Sequence, residues 1–124
     1  MVATLRWLLT ALLVCACAAH RPWGRAHEAP PPRNARRVDI EITGEGFRPN
    51  RVEGRVGETI TLVFTRTVER SCVDHVILSL DEDRRVERDL PLRAPVAVTL
   101  VLDAVGELGF SCPMGMHGGA LEVR

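Results

Sequence analysis

Residues 96–102 read Val-Ala-Val-Thr-Leu-Val-Leu, and this run decides the fold class. Apolar side chains at every second position indicate a strand with one buried face, because successive side chains of a strand point to opposite sides of the sheet. The same period of two recurs in residues 38–43 and 60–64. Turn signals rich in Gly, Pro and Asp separate these runs, and no helical apolar stripe follows residue 19. The pattern therefore predicts an all-β domain.

The alternation and the turn signals together predict about eight short strands. The predicted strands are 38–43, 51–56, 59–65, 73–80, 86–90, 96–102, 107–112 and 120–123. Both Trp residues lie before them, so the core must be built from Val, Ile, Leu and three Phe. A core of this size favours two sheets packed face to face, and the strand spacing is typical of a β-sandwich or barrel.

Length and charge exclude several classes of protein. A chain of 124 residues has room for one domain and is too short for a two-domain enzyme. Residues 1–37 carry a net charge of +5, with six Arg and one Glu, and residues 38–124 carry −5, with ten Arg and fifteen acidic residues. An acidic domain is not expected to bind nucleic acid. No serine-hydrolase, zinc-protease or phosphate-binding motif is present in the sequence, so we predict that the protein is not an enzyme.

The N-terminus has the pattern of a targeting signal. After Arg6 comes an apolar run of 13 residues, 7–19, which is shorter than the roughly 20 residues that a membrane-spanning helix needs. Such a run is typical of a signal peptide. Residues 16–18, Ala-Cys-Ala, suit cleavage, while residues 14–17 resemble a bacterial lipobox with Cys17 as the acylated residue. Cleavage, a lipid anchor and an uncleaved anchor are all compatible with this pattern.

Three segments follow from these patterns. They are a signal peptide or lipoprotein signal in residues 1–19, a Pro- and Arg-rich linker in residues 20–37, and the β domain in residues 38–124. The linker contains three consecutive Pro residues and no apolar period, which is typical of a stiff spacer. We therefore expect export to the periplasm or the outer face of the membrane, with membrane association through the N-terminal segment.

The chemistry is concentrated around the cysteines of the β domain. Residues 110–119 read Phe-Ser-Cys-Pro-Met-Gly-Met-His-Gly-Gly, so Met114 and Met116 follow Cys112 at positions i+2 and i+4. The only other Met is the initiator. Met residues that fill a core lie among apolar neighbours, whereas these two lie between Pro and Gly residues of an irregular loop. The clustering indicates a ligand set.

The strand period predicts where these side chains point. If Val76 faces the core, Cys72 and Asp74 share its face and His75 does not. Cys112 likewise shares the face of the apolar residues of its own strand. Both sulfurs are therefore expected to point inward, at the end of the sandwich where their strands meet the loops.

Thiolates and thioethers select a particular kind of metal ion. These donors are soft, and soft sulfur ligands favour monovalent copper over magnesium, calcium or manganese. The candidate ligands are Cys72, Cys112, Met114 and Met116. Four sulfurs suffice for one Cu(I) ion, or for two ions that share one thiolate. If the loop before Cys72 folds over the site, Arg66 and Arg70 would favour a thiolate there.

The sequence also resembles a known family in these places. The chain is similar to cupredoxin-like domains of the EfeO type in residues 52–66, at Cys72, in the Phe-Ser-Cys-Pro-Met-Gly-Met loop and in the ending Gly-Ala-Leu-Glu-Val at 119–123. Within that group it resembles the Cu(I)-binding cupredoxins of the membrane-anchored copper chaperone CupA and of copper-exporting ATPases. The resemblance covers roughly residues 38–124. It implies a Greek-key β-sandwich whose Cys…Cys-x-Met-x-Met sulfurs bind Cu(I) and pass it to an exporter.

The predicted function is therefore copper binding in the cell envelope, as a Cu(I) chaperone or a sequestering module. The expected partner is a copper exporter or another envelope copper protein. His117 and His75 are additional candidate ligands.

Three alternatives stay open. A type 1 copper site for electron transfer would use His75, Cys112, His117 and a Met, but it needs the outward-facing His75 to turn inward. A structural zinc site would use Cys72, His75, Cys112 and His117 and would leave both Met residues unused. A disulfide between Cys72 and Cys112 would staple a sandwich without a metal, as is natural in an exported protein.

Overall fold

The computed structural model describes residues 24–124 and contains ten strands and no helix in that range. The strands are β1 Ala26–Glu28, β2 Arg36–Thr43, β3 Gly46–Arg48, β4 Arg51–Gly54, β5 Thr59–Arg66, β6 His75–Ser79, β7 Arg85–Asp89, β8 Val96–Leu102, β9 Gly106–Ser111 and β10 Gly118–Val123. No helix of the length and apolarity needed to cross a membrane occurs in these residues. The predicted signal segment, residues 1–19, lies outside them.

The strands form two five-stranded sheets. One sheet has the order β1-β8-β5-β2-β3, and the other has the order β4-β10-β9-β6-β7. β2 runs parallel to β5, and β4 runs parallel to β10, while the remaining pairs in these sheets are antiparallel. Parallel neighbours need crossover connections, so the chain passes repeatedly from one sheet to the other. The prediction of an all-β sandwich is confirmed.

All eight predicted strands are present, with ends shifted by at most two residues, and β8 has the predicted bounds. Strands β1 and β3 were not predicted. Each has three residues, which is too short to show a period of two. Both form because neighbouring strands, β8 and β2, offer them hydrogen-bond partners.

Strand β1 corrects the prediction that residues 20–37 are only a linker. It pairs with the last residues of β8, and β2 also begins inside this segment. The His27 ring is hydrogen-bonded to Asp103 at 2.5 Å, and Arg88 of β7 forms an ion pair with Glu28. β1 therefore belongs to the folded domain and links the edges of the two sheets. Its conformation depends on tertiary partners, which local alternation does not reveal.

The core is aliphatic along most of its length and aromatic at one end. Phe47, Phe64 and Phe110, from β3, β5 and β9, meet edge to face with ring centroids 5.1 to 6.2 Å apart. Such pairs contribute about 0.5–1.5 kcal/mol each beyond the burial of their area. The cluster lies where β5 and β9 end and where β6 and β10 begin. We call this end of the sandwich, with the loops 67–74 and 112–117, the sulfur pole.

Candidate metal centre

Cys72 lies in the loop of residues 67–74 that connects β5 with β6. Its side chain is half-buried and packs against the core. The next residue, Val73, is fully buried, and its amide donates a hydrogen bond of 3.0 Å to Ser71 Oγ. The buried Val73 thus anchors the loop, and Cys72 is held at the surface of the core.

The strand period does not extend back to Cys72. Strand β6 begins at His75, and Asp74 lies before it and is exposed. The prediction that Asp74 faces the core is therefore wrong, because loop residues do not follow the alternation of a strand. Cys72 nevertheless packs against the core, because the loop of residues 67–74 turns its side chain towards it.

Cys112 follows the last residue of β9 and is only 1% exposed. The loop after it folds back, since the Cys112 amide donates to the His117 carbonyl at 3.1 Å and the Cys112 carbonyl accepts from the Gly115 amide at 3.0 Å. Gly115 has φ +68°, a left-handed conformation that glycine adopts without a steric penalty. The His117 amide also donates to the Cys112 sulfur at 3.4 Å. The loop therefore curls around this sulfur.

Cys72 and Cys112 are neighbours in the core, close enough for each to shift the pKa of the other, and both are free cysteines. Burial raises the pKa of Cys112. Backbone amides and the Cys72 thiol act in the opposite direction and lower this pKa. The net shift of the pKa is downward. The amides are those of His117, Met116 and Met114. Burial, followed by the charge of the neighbouring Cys112, raises the pKa of Cys72. Of the two cysteines, Cys112 is therefore the one that loses its proton more readily.

Met114 and Met116 occupy the surface of the sulfur pole. Their side chains are 75% and 69% exposed, while their backbone amides lie against the sulfur of Cys112. The structure therefore brings all four predicted ligands to one end of the sandwich. The two cysteines pack into or against the core, and the two thioethers face the solvent.

His75 lies on the outer face of β6, as the strand period predicts. Its ring bonds to Asp89 through Nδ1 at 2.8 Å and approaches Glu87 through Nε2 at 3.4 Å. The hydrogen bond to Asp89 raises the pKa of His75 against the opposing effect of burial, and Glu87 adds to the rise. Across residues 24–124, no three His, Cys, Asp or Glu side chains group together as a metal site. The zinc set and the type 1 set both require His75 beside Cys112, whereas here the His75 ring is paired with Asp89 and Glu87.

His117 lies in the loop 112–117 and is half-buried. Its ring packs over the backbone of Gly46, where an added Cβ would lie 2.9 Å from His117 Nδ1. Gly46 also has φ +115°, a conformation that other residues rarely adopt. The β2–β3 turn therefore supports the loop that carries the methionines, a role for Gly46 that the sequence did not predict.

Arg66 reaches the loop of Cys72, although not in the way that the sequence predicted. Its guanidinium donates to the carbonyl oxygens of Leu90, Glu69 and Val68. Arg70, the other candidate for stabilising a thiolate, is exposed. The partners of Arg66 are backbone atoms distant in sequence or within an irregular loop, so no residue pattern could have revealed them.

The donor set at the sulfur pole fits a soft monovalent cation. A cysteine thiolate, a second cysteine and two thioethers are the ligand types that favour Cu(I) over hard divalent ions. The thioethers need no deprotonation and already face the solvent. The pole could therefore accept such an ion from outside without opening the core.

No family model matches the chain, and no curated protein matches it. Solved structures do. An apo copper binding protein is 25% identical with a TM-score of 0.62, over 71% of this chain and 86% of its own. The metal-binding domain of the Cu(I)-exporting P-type ATPase CopA of Streptococcus pneumoniae D39, solved with Cu(I), is 19% identical with a TM-score of 0.64, over 77% and 92%.

Auracyanin B is 12% identical with a TM-score of 0.64, over 82% of this chain and 97% of its own. The narrower resemblance to EfeO-type domains stays a prediction. The chain therefore has the cupredoxin-like fold, and its structural neighbours are copper-binding proteins of that fold.

Proposed function

We propose that this domain binds Cu(I) at the sulfur pole and hands it to another protein, as a chaperone or a sequestering module. The observation that carries the proposal is the proximity of Cys72 and Cys112, which lie 40 positions apart in the sequence yet pack into the same part of the core beneath the loop of Met114 and Met116. Two neighbouring cysteines, under a loop with two exposed thioethers, are a set of soft donors. The copper-binding neighbours of the same fold support copper as the ion.

The exposure of the ligands suggests how the ion enters and leaves. Met114 and Met116 are the accessible donors, whereas Cys112 is buried and Cys72 is half-buried. An incoming ion would meet the thioethers first and then exchange ligands with the thiolate. Delivery would reverse this order, with sulfur ligands of the partner replacing the methionines one at a time.

The expected setting is the cell envelope, and the expected partner is a copper exporter or another envelope copper protein. The acidic charge of residues 38–124, −5, favours a partner with a basic docking surface. We propose a carrier rather than an enzyme, since the donors at the pole are sulfur atoms that suit binding and exchange of a soft ion.

The test is a titration of the reduced protein with Cu(I) under anaerobic conditions, against a chromogenic Cu(I) chelator. We expect one or two Cu(I) ions in a colourless complex. Replacing both Met114 and Met116 with Leu should weaken Cu(I) binding by about tenfold, equivalent to about 1.4 kcal/mol. Leu keeps the apolar bulk and removes the sulfur, so urea denaturation should show unchanged stability. Cys112→Ser should weaken binding more, because it removes the thiolate.

A matched control replaces the exposed Val56 and Val105, at the opposite end of the sandwich, with Leu. These changes should leave Cu(I) affinity unchanged. Equal affinity of the methionine variant and the parent would contradict the thioether role. An intense visible band with Cu(II) would favour the type 1 site, and tight Zn(II) binding that is lost in His75→Ala would favour the zinc site.

A further inference from the structure

We propose that Arg66 is a positioning residue for the sulfur pole, whose guanidinium braces the loop that carries Cys72 and so holds the Cys72 sulfur against Cys112. The proposal rests on the proposed function for its consequence in Cu(I) binding. The brace itself is a feature of the copper-free protein and can be tested separately.

Arg66 is the last residue of β5, and its half-buried side chain turns back over the loop that follows. Nε donates to the Leu90 carbonyl at 2.8 Å, and Nη1 donates to the carbonyls of Glu69 at 3.1 Å and Val68 at 3.4 Å. Hydrogen bonds from a charged donor are stronger than those between neutral groups. The guanidinium therefore ties the first half of the loop to the residue after β7.

Leu90 connects the same brace to the second half of the loop. Its amide donates to the Asp74 carbonyl at 2.8 Å, while its carbonyl accepts from Arg66. Leu90 is itself 1% exposed, so it is a fixed point. Cys72 lies between the two attachments, with the Arg66 bonds on its N-terminal side and the Leu90 bond on its C-terminal side.

The backbone of Arg66 is also firmly placed. Its carbonyl accepts from the Arg93 amide at 2.7 Å, and the Thr67 amide donates to the Ile42 carbonyl at 3.2 Å. The Arg66 side chain therefore extends from a backbone position that these two hydrogen bonds hold in place. Only a planar guanidinium with several donors can bond to both Leu90 and Glu69 from one position, so a lysine is not an adequate replacement.

The first experiment measures amide hydrogen exchange of the copper-free protein. In Arg66→Gln and Arg66→Lys, exchange in residues 68–74 should be about tenfold faster or more, because the local opening free energy falls by about 1.4 kcal/mol. Exchange in β5 and β8 should change much less. The matched control is Arg70→Gln, which removes the same charge from an exposed residue two positions before Cys72. It should leave exchange in the loop unchanged.

The second experiment separates positioning from general destabilisation by a double-mutant cycle on Cu(I) affinity. Arg66→Gln should weaken Cu(I) binding by about tenfold in the parent. In a Cys72→Ser background the same change should have little further effect, because Arg66 acts through Cys72. A residue that merely stabilised the fold would weaken binding equally in both backgrounds.

If amide hydrogen exchange in residues 68–74 is unchanged in both Arg66 variants, Arg66 does not brace the loop, whatever the Cu(I) affinities are. Equal loss of affinity in the two backgrounds, or the same effect from Arg70→Gln, would overturn positioning through Cys72. A parent protein that binds no Cu(I) would overturn the proposed function, and the exchange data would still decide whether the brace exists.

Discussion

The sulfur of Cys112 accepts a hydrogen bond from the His117 amide at 3.4 Å, and the amides of Met116 and Met114 also lower its pKa, although the residue is only 1% exposed. Burial alone would raise the pKa of this thiol, and the amides reverse the direction. Of the two Arg side chains that the sequence suggested for this purpose, Arg66 donates to backbone carbonyls instead and Arg70 is exposed. At the residue scale, the chemistry of a cysteine is thus set by the backbone of the loop around it.

His75 provides a prediction at the same scale. Its folded-state pKa is raised by Asp89 first and by Glu87, so its contribution to stability is fully present below the ordinary imidazole pKa and is lost as the pH rises through the raised value. His75→Gln should therefore destabilise the protein at pH 5 by about 0.5 kcal/mol, a typical value for a partly exposed ion pair, and by less at pH 9.

Urea denaturation of both proteins at the two pH values measures the difference. Cu(I) affinity, measured in parallel, should be the same in parent and variant, because His75 lies on the outer face of β6. A large loss of affinity in His75→Gln would show that the ring turns inward as a ligand.

At the scale of elements, the β2–β3 turn and the loop 112–117 are packed as one unit. Gly46 starts β3 with φ +115° and leaves room for the His117 ring. His117 in turn places its amide against the Cys112 sulfur. A short turn in one sheet therefore supports a ligand loop that belongs to the other sheet.

Gly46→Ala should destabilise the protein by about 1–3 kcal/mol, since its Cβ would meet the His117 ring and its φ value suits only glycine. The control is Gly44→Ala in the same turn, where a Cβ would meet nothing within 4 Å. The measurement is the midpoint of urea denaturation, with an unchanged slope. Equal midpoints for the two variants would show that the turn does not support the loop.

At the scale of the whole molecule, the chain enters the sandwich at the end opposite to the sulfur pole. Ala26, the first residue of β1, pairs with Leu102 just before the turn into β9. The ligand loops lie at the other end of the same strands. Among the described residues, the entry of the chain and the ligand loops are therefore separated by the length of the sandwich.

A chain that begins at residue 30 and lacks β1 should be less stable than one that begins at residue 24, by on the order of 2 kcal/mol. The loss comes from exposure of β8 and from the missing Arg88–Glu28 ion pair between the sheets. Cu(I) affinity should be equal in the two chains, because β1 pairs with the far half of β8. Equal stability would show that β1 is dispensable, as the predicted linker implied.

Most of the fold could be predicted from the sequence, because alternation along one strand is a local property. Strand β8 has the predicted bounds, and the Cys-x-Met-x-Met loop could be identified from its clustering alone. Strand β1, the exposed Asp74 and the role of Arg66 could not, because each depends on groups supplied by distant segments. Period and spacing carry no information about such partners.

The sequence by itself determined the two-faced strands, the types of sulfur donor and the order in which they occur. Only the tertiary structure decided that Cys72 and Cys112 become neighbours, that the His117 amide bonds to the Cys112 sulfur and that both thioethers face outward. The physical reason is that donor type and strand period are properties of neighbouring residues. The meeting of two sulfurs requires two sheets to pack and two loops to close on the same end of the core.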